Sequence, residues 1–384
     1  MERSTWQKMF ALTYFCAQAA FAQPFNNYTW VGNSSSWDVS SNWDGNEVPV
    51  SSDQADIGDT TNIAIPTITT TQSVYVISFF SSGGYLYIAD SGNLTIDSNM
   101  NVGNSVDSTA NVFFTGTGIG GSLTFPSGAY AMQAAGQINY HVTGNSPNTI
   151  TFSAGSFGQY EGTANIVNAS SAGGTLGIGI EATSIVLNSF NLQSEDTVNL
   201  GDSSTLSLLG ESSISGVISG GGNLVFNSSA RSLVLSGSNT YTGSTTISGG
   251  TLALSGTGSI AASSSVSVAN DAIFDISGTS SGATVNDLSG SGFVLLGTQT
   301  LIINENTPTS FTGRVQEEGN LVLSGTSTLT LSGSNTYRGS TTVTSGTLAL
   351  TGTGSIAYSD ATQILAPGSL DISQVTSYAV FNNL

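Results

Sequence analysis

Cysteine and histidine are almost missing from this sequence: Cys16 and His141 are the only representatives of each. A disulfide scaffold needs paired cysteines and a zinc site needs several Cys or His ligands, so both classes are excluded. Basic residues are nearly as scarce. Five face 24 acids in 384 positions, a net charge of −19. Nucleic-acid binding depends on neutralising phosphates with Lys and Arg, and this balance repels them. Charge of either sign is sparse, at 8% of residues, while 38% are hydrophobic. Such a chain has apolar surface to bury and does not fit charge-driven disorder. Its 47 glycines and seven prolines stay below the level of a structureless low-complexity chain. Beyond the opening stretch 1–22 no sustained i, i+3, i+4 apolar stripe occurs, so helix is expected to be nearly absent.

What is present begins with an address. Arg3 and Lys8 precede the apolar run 9–17, and Ala20-Phe21-Ala22 matches the small-x-small cleavage pattern of a secretory signal peptide. The run is too short to span a bilayer. Residues 1–22 are therefore expected to be a signal peptide, with cleavage marked by Ala20 and Ala22 and a mature chain starting at Gln23. That mature chain holds 23 acids, three arginines (Arg231, Arg314, Arg338), and neither Lys nor Cys. Without disulfides, an exported protein of this kind must draw its stability from hydrogen bonds and an apolar core.

Repetition then indicates the fold. Residues 232–277 align without gaps on 328–373 at an offset of 96, with 27 of 46 positions identical. Leu235-Ser-Gly-Ser-Asn-Thr-Tyr241 recurs as Leu331-Ser-Gly-Ser-Asn-Thr-Tyr337, and Gly250-Thr-Leu-Ala-Leu254 as Gly346-Thr-Leu-Ala-Leu350. Upstream, Gly222-Asn-Leu-Val-Phe226 is echoed by Gly319-Asn-Leu-Val-Leu323, one residue out of register. A shorter period lies inside the long one: the glycines closing the segments 233–237, 252–256, 274–278 and 293–297 are 19, 22 and 19 residues apart. Alternation puts Leu252 and Leu254 on one side and Thr251, Ala253 and Ser255 on the other; Phe274 and Ile276 point inward with Asp275 outward. Short strands with Gly/Ser/Asn corners at this period predict an all-β fold, a right-handed parallel β-helix (β-solenoid) with coils of about 20 residues. A β-sandwich fits strand spacing alone, but gap-free repetition of whole strand sets favours stacked coils. The mature length then predicts about 17 coils and a rod of about 80 Å at the inter-strand spacing. The scarcity of charge acquires a reason, since like charges at equivalent positions of adjacent coils would repel. Asn239, Asn335 and the glycines after them suit corners that need left-handed backbone angles. The chain divides into the signal peptide (1–22), a Trp-rich cap or first coils (23–66), a divergent solenoid (67–209) and a solenoid with the two repeats (210–384).

The run Leu-Ser-Gly-Ser-Asn-Thr-Tyr-x-Gly-x-Thr-Thr-(x)4-Gly-Thr-Leu, at 235–252 and 331–348, resembles the passenger-associated transport repeat of bacterial autotransporters. Asp287-Leu-Ser-Gly-Ser-Gly-Phe293 and Phe311-Thr-Gly-Arg314 resemble connecting segments of that family. The resemblance covers about residues 210–373. It implies an exported β-helical passenger at a Gram-negative cell surface, in the outer membrane or secreted. There the repeat assists folding and export rather than chemistry. It also implies an outer-membrane β-barrel translocator as partner. Only the short stretch 374–384 follows Ser373, too little for the strands of a membrane barrel, so truncation before a barrel is expected, with a separate translocator or secretion of the solenoid whole as the alternatives. The same shortage leaves the last coil without an evident cap, exposing a pairing edge.

Chemistry-bearing groups are few. His141 stands alone in Asn139-Tyr-His-Val, and no nucleophile elbow accompanies it. A carbohydrate-active β-helix, either polysaccharide lyase or glycoside hydrolase, is the enzymatic alternative. A lyase would have to use Arg231, Arg314 or Arg338. A hydrolase needs two carboxylates about 5–10 Å apart, and Glu317-Glu318, Glu195-Asp196 and Asp202 are the tight acid groups. Asp38, Asp44, Glu47, Asp53, Asp56 and Asp59 gather acids suited to calcium, yet neither the EF-hand loop nor the Gly-Gly-x-Gly-x-Asp repeat is there. Trp30, Trp37 and Trp43 have two readings, a sugar-stacking surface or a cap over the first coil, and terminal caps are required in every such rod. Tyr241 and Tyr337 could form a ligand ladder along one face or shield a turn. No catalytic, cofactor-binding or metal residue is assigned and no cofactor is expected. The expected function is a non-enzymatic passenger engaged in adhesion or display, with a host-surface or glycan ligand as candidate partner and no nucleic acid.

Overall fold

The computed structural model describes residues 26–32, 34–57, 65–79, 84–89, 91–102, 109–115, 121–125, 130–133, 137–142, 147–152, 157–168, 175–180 and 185–376, with the backbone alone over most of 101–189. The signal segment 1–22, with its cleavage residues and Gln23, lies outside these residues, as do Cys16, Asp59 and the His141 side chain.

Parallel strands stack from Asn27–Thr29 to Ser369–Val375, and the one helical element among the described residues is a 3-10 turn at Ser40–Asn42. The result is the expected β-solenoid, with turns of about 21 residues. Register partners step from coil to coil about fifteen times between Asn27 and Leu370, close to the expected number of about 17 coils. Coil length also varies: Asn99 reaches forward to Tyr130 for its pairing, whereas Leu233 finds Leu252 after a much shorter step. Strands are longer than the short segments anticipated. Asn223–Leu235 and Thr245–Gly256 each run through a corner, and the register shifts where they turn, at Phe226–Ser232.

The core is a stack of inward rows. Leu233, Leu252, Phe274, Val294 and Val315 are successive register partners, and all five are fully buried. Burial of each such side chain contributes about 1.5–3 kcal/mol, so the row is a main stabilising element. Strand alternation explains the pattern: in Thr300–Glu305 and Asn320–Gly325 every second side chain enters the core, as the sequence predicts.

Each coil in the C-terminal half has three faces. The first is built from Thr245–Ile247, Val266–Val268, Leu288–Gly290, Thr309–Phe311 and Thr328–Leu331. The second contains Leu233–Leu235, Leu252–Leu254, Ile273–Ile276, Phe293–Leu295 and Arg314–Gln316. The third runs through Ala283–Asn286, Thr300–Glu305, Asn320–Gly325, Thr341–Val343 and Thr362–Ile364. The two sequence repeats do not share faces. Thr245 is on the first face and its counterpart Thr341 on the third; Leu233 is on the second and its counterpart Leu329 on the first. The cause is arithmetic. Four coils from Thr245 lead to Leu329 on the same face, and the rest of the offset, from Leu329 to Thr341, carries the chain past two more corners.

The ends differ. At the N-terminal end Trp30, Trp37 and Trp43 are buried together, with Trp43 edge-on to Trp30 at 5.0 Å and to Trp37 at 4.7 Å. Trp43 Nε1 donates to Trp37 O at 3.1 Å, and Asn42 ties the same loop by donating to Ser34 Oγ and Ser36 O. In the last described coil, Ser369–Val375 is mostly exposed, and Ile372 and Leu365 are each 42% exposed.

Candidate functional site

The residues shared by the two repeats converge inside the rod. Between residues 236 and 244 the backbone leaves regular strand structure, retaining one bridge, Ser238 to Ser259. Asn239, 4% exposed, replaces the missing ladder bonds with its side chain. Its Oδ1 accepts from Ile218 N at 2.9 Å in the coil before, and its Nδ2 donates to Ser259 O at 3.0 Å in the coil after and to Gly237 O at 3.0 Å. Asn335 repeats this geometry: its Oδ1 accepts from Val315 N at 2.9 Å and its Nδ2 donates to Ser355 O and Gly333 O, both at 3.1 Å. One amide therefore bonds three successive coils, using acceptor and donors together as only Asn or Gln can.

Two residues on, Tyr241 is fully buried and its hydroxyl lies 2.5 Å from Thr245 Oγ1, which lies 2.9 Å from Ser263 Oγ. Ser263 Oγ donates to Gly243 O at 2.8 Å. Each hydroxyl has one proton, so Ser263 donates to the carbonyl, Thr245 to Ser263, and Tyr241 to Thr245. Tyr337, Thr341, Ser359 and Gly339 O form the same relay at 2.5, 2.9 and 2.8 Å. Burial pushes both phenols well above their ordinary range, with the Thr hydrogen bonds pulling the other way. They are neutral donors, unsuited to acid–base work near neutral pH. A second corner is shared too: Asn223 Oδ1 accepts from Ser244 N at 2.9 Å, and Asn320 Oδ1 from Ser340 N at 2.8 Å.

The comparisons with known proteins bear on this feature. A family model described as the passenger-associated-transport-repeat matches residues 228–254 and 321–350. The chain carries two passenger-associated-transport repeats. The matches start before residues 232 and 328 and stop before 277 and 373, so they cover the Asn–Tyr–Thr part of the self-alignment, while Ser263 and Ser359 lie beyond them. No match is found among curated proteins. A transport repeat on a parallel solenoid fits an autotransporter passenger, whose export partner is in general a translocator barrel.

The other singled-out residues are placed apart. Tyr241 and Tyr337 are buried on different faces, so the ligand ladder along one face is overturned; both serve their turns instead. The tryptophans offer no exposed ring surface for stacking a sugar. Glu317 and Glu318 diverge: Glu317 accepts from Gly297 N at 2.6 Å, while Glu318 pairs with Arg338 at 3.5 Å across the surface. Glu195 is exposed, whereas Asp196 is buried. The N-terminal acids are separately engaged. Asp38 accepts from Thr70 and Gln72, Asp44 from Thr29 N at 2.9 Å, Glu47 from Tyr28 at 2.6 Å, Asp53 from Val50 N at 3.0 Å and Asp56 from Gln54 at 2.7 Å. Burial raises the Asp56 carboxyl, and the Glu47 hydrogen bond pushes the Tyr28 phenol up to about 12. No group of three metal-ligating side chains occurs among the described residues.

Two features escaped the sequence reading. One is a surface cavity of about 290 Å³ lined by Glu211, Arg231 and Asp271 with Ser229 and Thr251. The other is Glu305, a fully buried carboxyl in an inward strand position. Alternation from Leu301 and Ile303 points to the latter directly; no local signal marks the former, because its residues come from four successive coils.

Proposed function

We propose that the chain is an exported, non-enzymatic β-helical passenger of a Gram-negative cell surface, acting in adhesion or display, whose transport repeats assist folding and secretion. The observation that carries this reading is the burial of the shared side chains that bond coil to coil. Asn239/Asn335, Tyr241/Tyr337, Thr245/Thr341 and Ser263/Ser359 are all buried in coil-to-coil bonding. A repeat selected for ligand contact would keep its common residues on the outside.

The physical role is register. A slip of two residues leaves the inward and outward alternation intact, so the apolar rows alone specify coil register weakly. The asparagine clamp and the Tyr–Thr–Ser relay do not survive such a slip, because a buried N–H or hydroxyl would lose its partner at about 1–3 kcal/mol each. Coils that stack by nearest-neighbour contacts can nucleate anywhere, and a register-fixing nucleus directs the rest. That suits a chain that emerges through a translocator barrel and folds outside. A host-surface or glycan ligand would be bound by the outward Ser, Thr and Asn residues, with weak contacts adding along the rod.

The test is secretion of the chain fused to a translocator barrel, with and without Asn239→Ala and Asn335→Ala together. The double variant is expected to lower the folded, protease-resistant fraction at the surface several-fold while the barrel inserts normally. Full surface folding of the double variant would sink the repeat's role. A carbohydrate-active reading would centre on the cavity at Glu211, Arg231 and Asp271. Release of products from a panel of acidic and neutral glycans, abolished by Glu211→Gln or Asp271→Asn, would replace the non-enzymatic reading.

A further inference from the structure

Glu305 ends the strand Thr300–Glu305 on the third face, between the two transport repeats, and its side chain enters the core in line with Leu301 and Ile303. Its register partner in the next coil is Gly325, at the head of the second repeat; in the coil before, Asn286 pairs with Asn304 and Asp287 N donates to Asn304 O. The carboxyl meets Thr309 Oγ1 through Oε1, while Oε2 is buried without a partner. Proton accounting decides its state. Thr309 Oγ1 also lies 2.6 Å from Leu288 O, a carbonyl that can only accept. The one hydroxyl proton of Thr309 goes to Leu288 O, so the Thr309–Glu305 bond needs a proton from the carboxyl. An ionised Glu305 would face the Thr309 oxygen lone pairs, carry an uncompensated oxygen in the core, and feel the Asp287 charge. The packed strands 283–286, 309–311 and 320–325 bring no other charged or titratable side chain. None of them supplies a cation to offset the charge.

We propose that Glu305 is a proton-dependent latch on the coils that lead into the second repeat: neutral, it bonds Thr309 and closes the seam to Leu288 in the coil before, and ionised, it opens that seam. Burial is the main cause that raises this carboxyl to about 7, with the Asp287 charge adding to the rise and a backbone hydrogen bond at Leu288 opposing it. The folded state thus binds the proton more tightly than the unfolded chain does. The latch is complete below the ordinary carboxylate range and is lost as pH rises through about 7. In a solenoid each coil contacts only its neighbours, so a loosened seam splits the stack into separately opening parts rather than weakening it evenly.

The experiment is hydrogen exchange on the folded chain between pH 5.5 and 8.5, corrected for the intrinsic rate, at the Asp287 amide, which donates to Asn304 O across that seam, and at the Thr326 and Ser327 amides, which both donate to Glu305 O. The expected result is a fall in protection of tenfold or more in the wild type and a flat profile in Glu305→Gln, with amides on the Leu233–Leu252 row unchanged in both. Glu305→Leu, which continues the apolar row, provides a second pH-insensitive variant should the amide fold poorly. An equal fall in Glu305→Gln or Glu305→Leu, or a wild-type profile already flat, would overturn the latch.

Discussion

At the scale of single residues, the two asparagine clamps are the sharpest features, because one side chain answers for groups in three coils. Asn239→Ala removes the acceptor of Ile218 N, leaving that buried N–H unpaired, and strips one of two donors from both Ser259 O and Gly237 O, which keep their backbone partners. The expected loss is about 2–3 kcal/mol, read from the chemical-denaturation midpoint at unchanged slope. Asn239→Asp is expected to be worse at neutral pH, since a carboxylate would face two carbonyl oxygens and donate to neither. Stability above that of the alanine variant would show that the donors are unimportant. Tyr241→Phe separates packing from bonding. The ring stays, Thr245 and Ser263 remain paired, and the loss should be about 1 kcal/mol.

At the scale of the coil, the corners decide what the strands can do. Gly250 turns the long strand Thr245–Gly256 at φ +75°, where a Cβ would come within 2.6 Å of Arg231 O and 2.9 Å of the Phe226 ring. Gly256, closing the same strand at φ +58°, has open space around it. Asn tolerates the left-handed region, so Gly256→Asn should move the thermal midpoint little, whereas Gly250→Asn should destabilise by about 2 kcal/mol or more. Equal effects at both glycines would show that backbone angle, not space, governs these corners. This contrast also marks the limit of sequence reading. Both glycines belong to the repeat pattern and look alike there, as do inward and outward strand positions once alternation is applied. Leu252, Phe274 and their rows were legible because alternation and the short glycine-to-glycine step are local signals. The merged strands Asn223–Leu235 and Thr245–Gly256 were not, because a chain can bend through a corner while keeping its hydrogen bonds. The candidate site was half legible: Asn239, Asn335, Tyr241 and Tyr337 stood out by recurrence. Their partners Ser263 and Ser359 are common serines whose role depends on the next coil.

At the scale of the whole molecule, the long repeat and the turn are incommensurate, and this governs what the rod can present. The step from Thr245 to Thr341 is not a whole number of turns of about 21 residues, so equivalent side chains fall on different faces. Residues common to both repeats therefore cannot line up as one ligand-binding strip, however similar the sequences. They can still do the same work inside, since each clamp sees only its own neighbouring coils. This separates the interior, which repeats, from the exterior, which does not: Thr242 and Arg338 occupy matching positions, yet Arg338 pairs with Glu318 on another side of the rod. Beyond Cys16 the sequence has no cysteine, so thiols placed at Thr242 and Arg338 carry spin labels without background from the rod. Stacked on one face, four to five coils apart, they would lie about 22 Å from each other at the inter-strand spacing. With a face of about seven residues crossed as well, about 30 Å is expected for the backbone positions. A pulsed electron–electron measurement centred on the shorter distance would mean that the repeats share a face after all, and would reopen the ordered ligand ladder that the present register excludes.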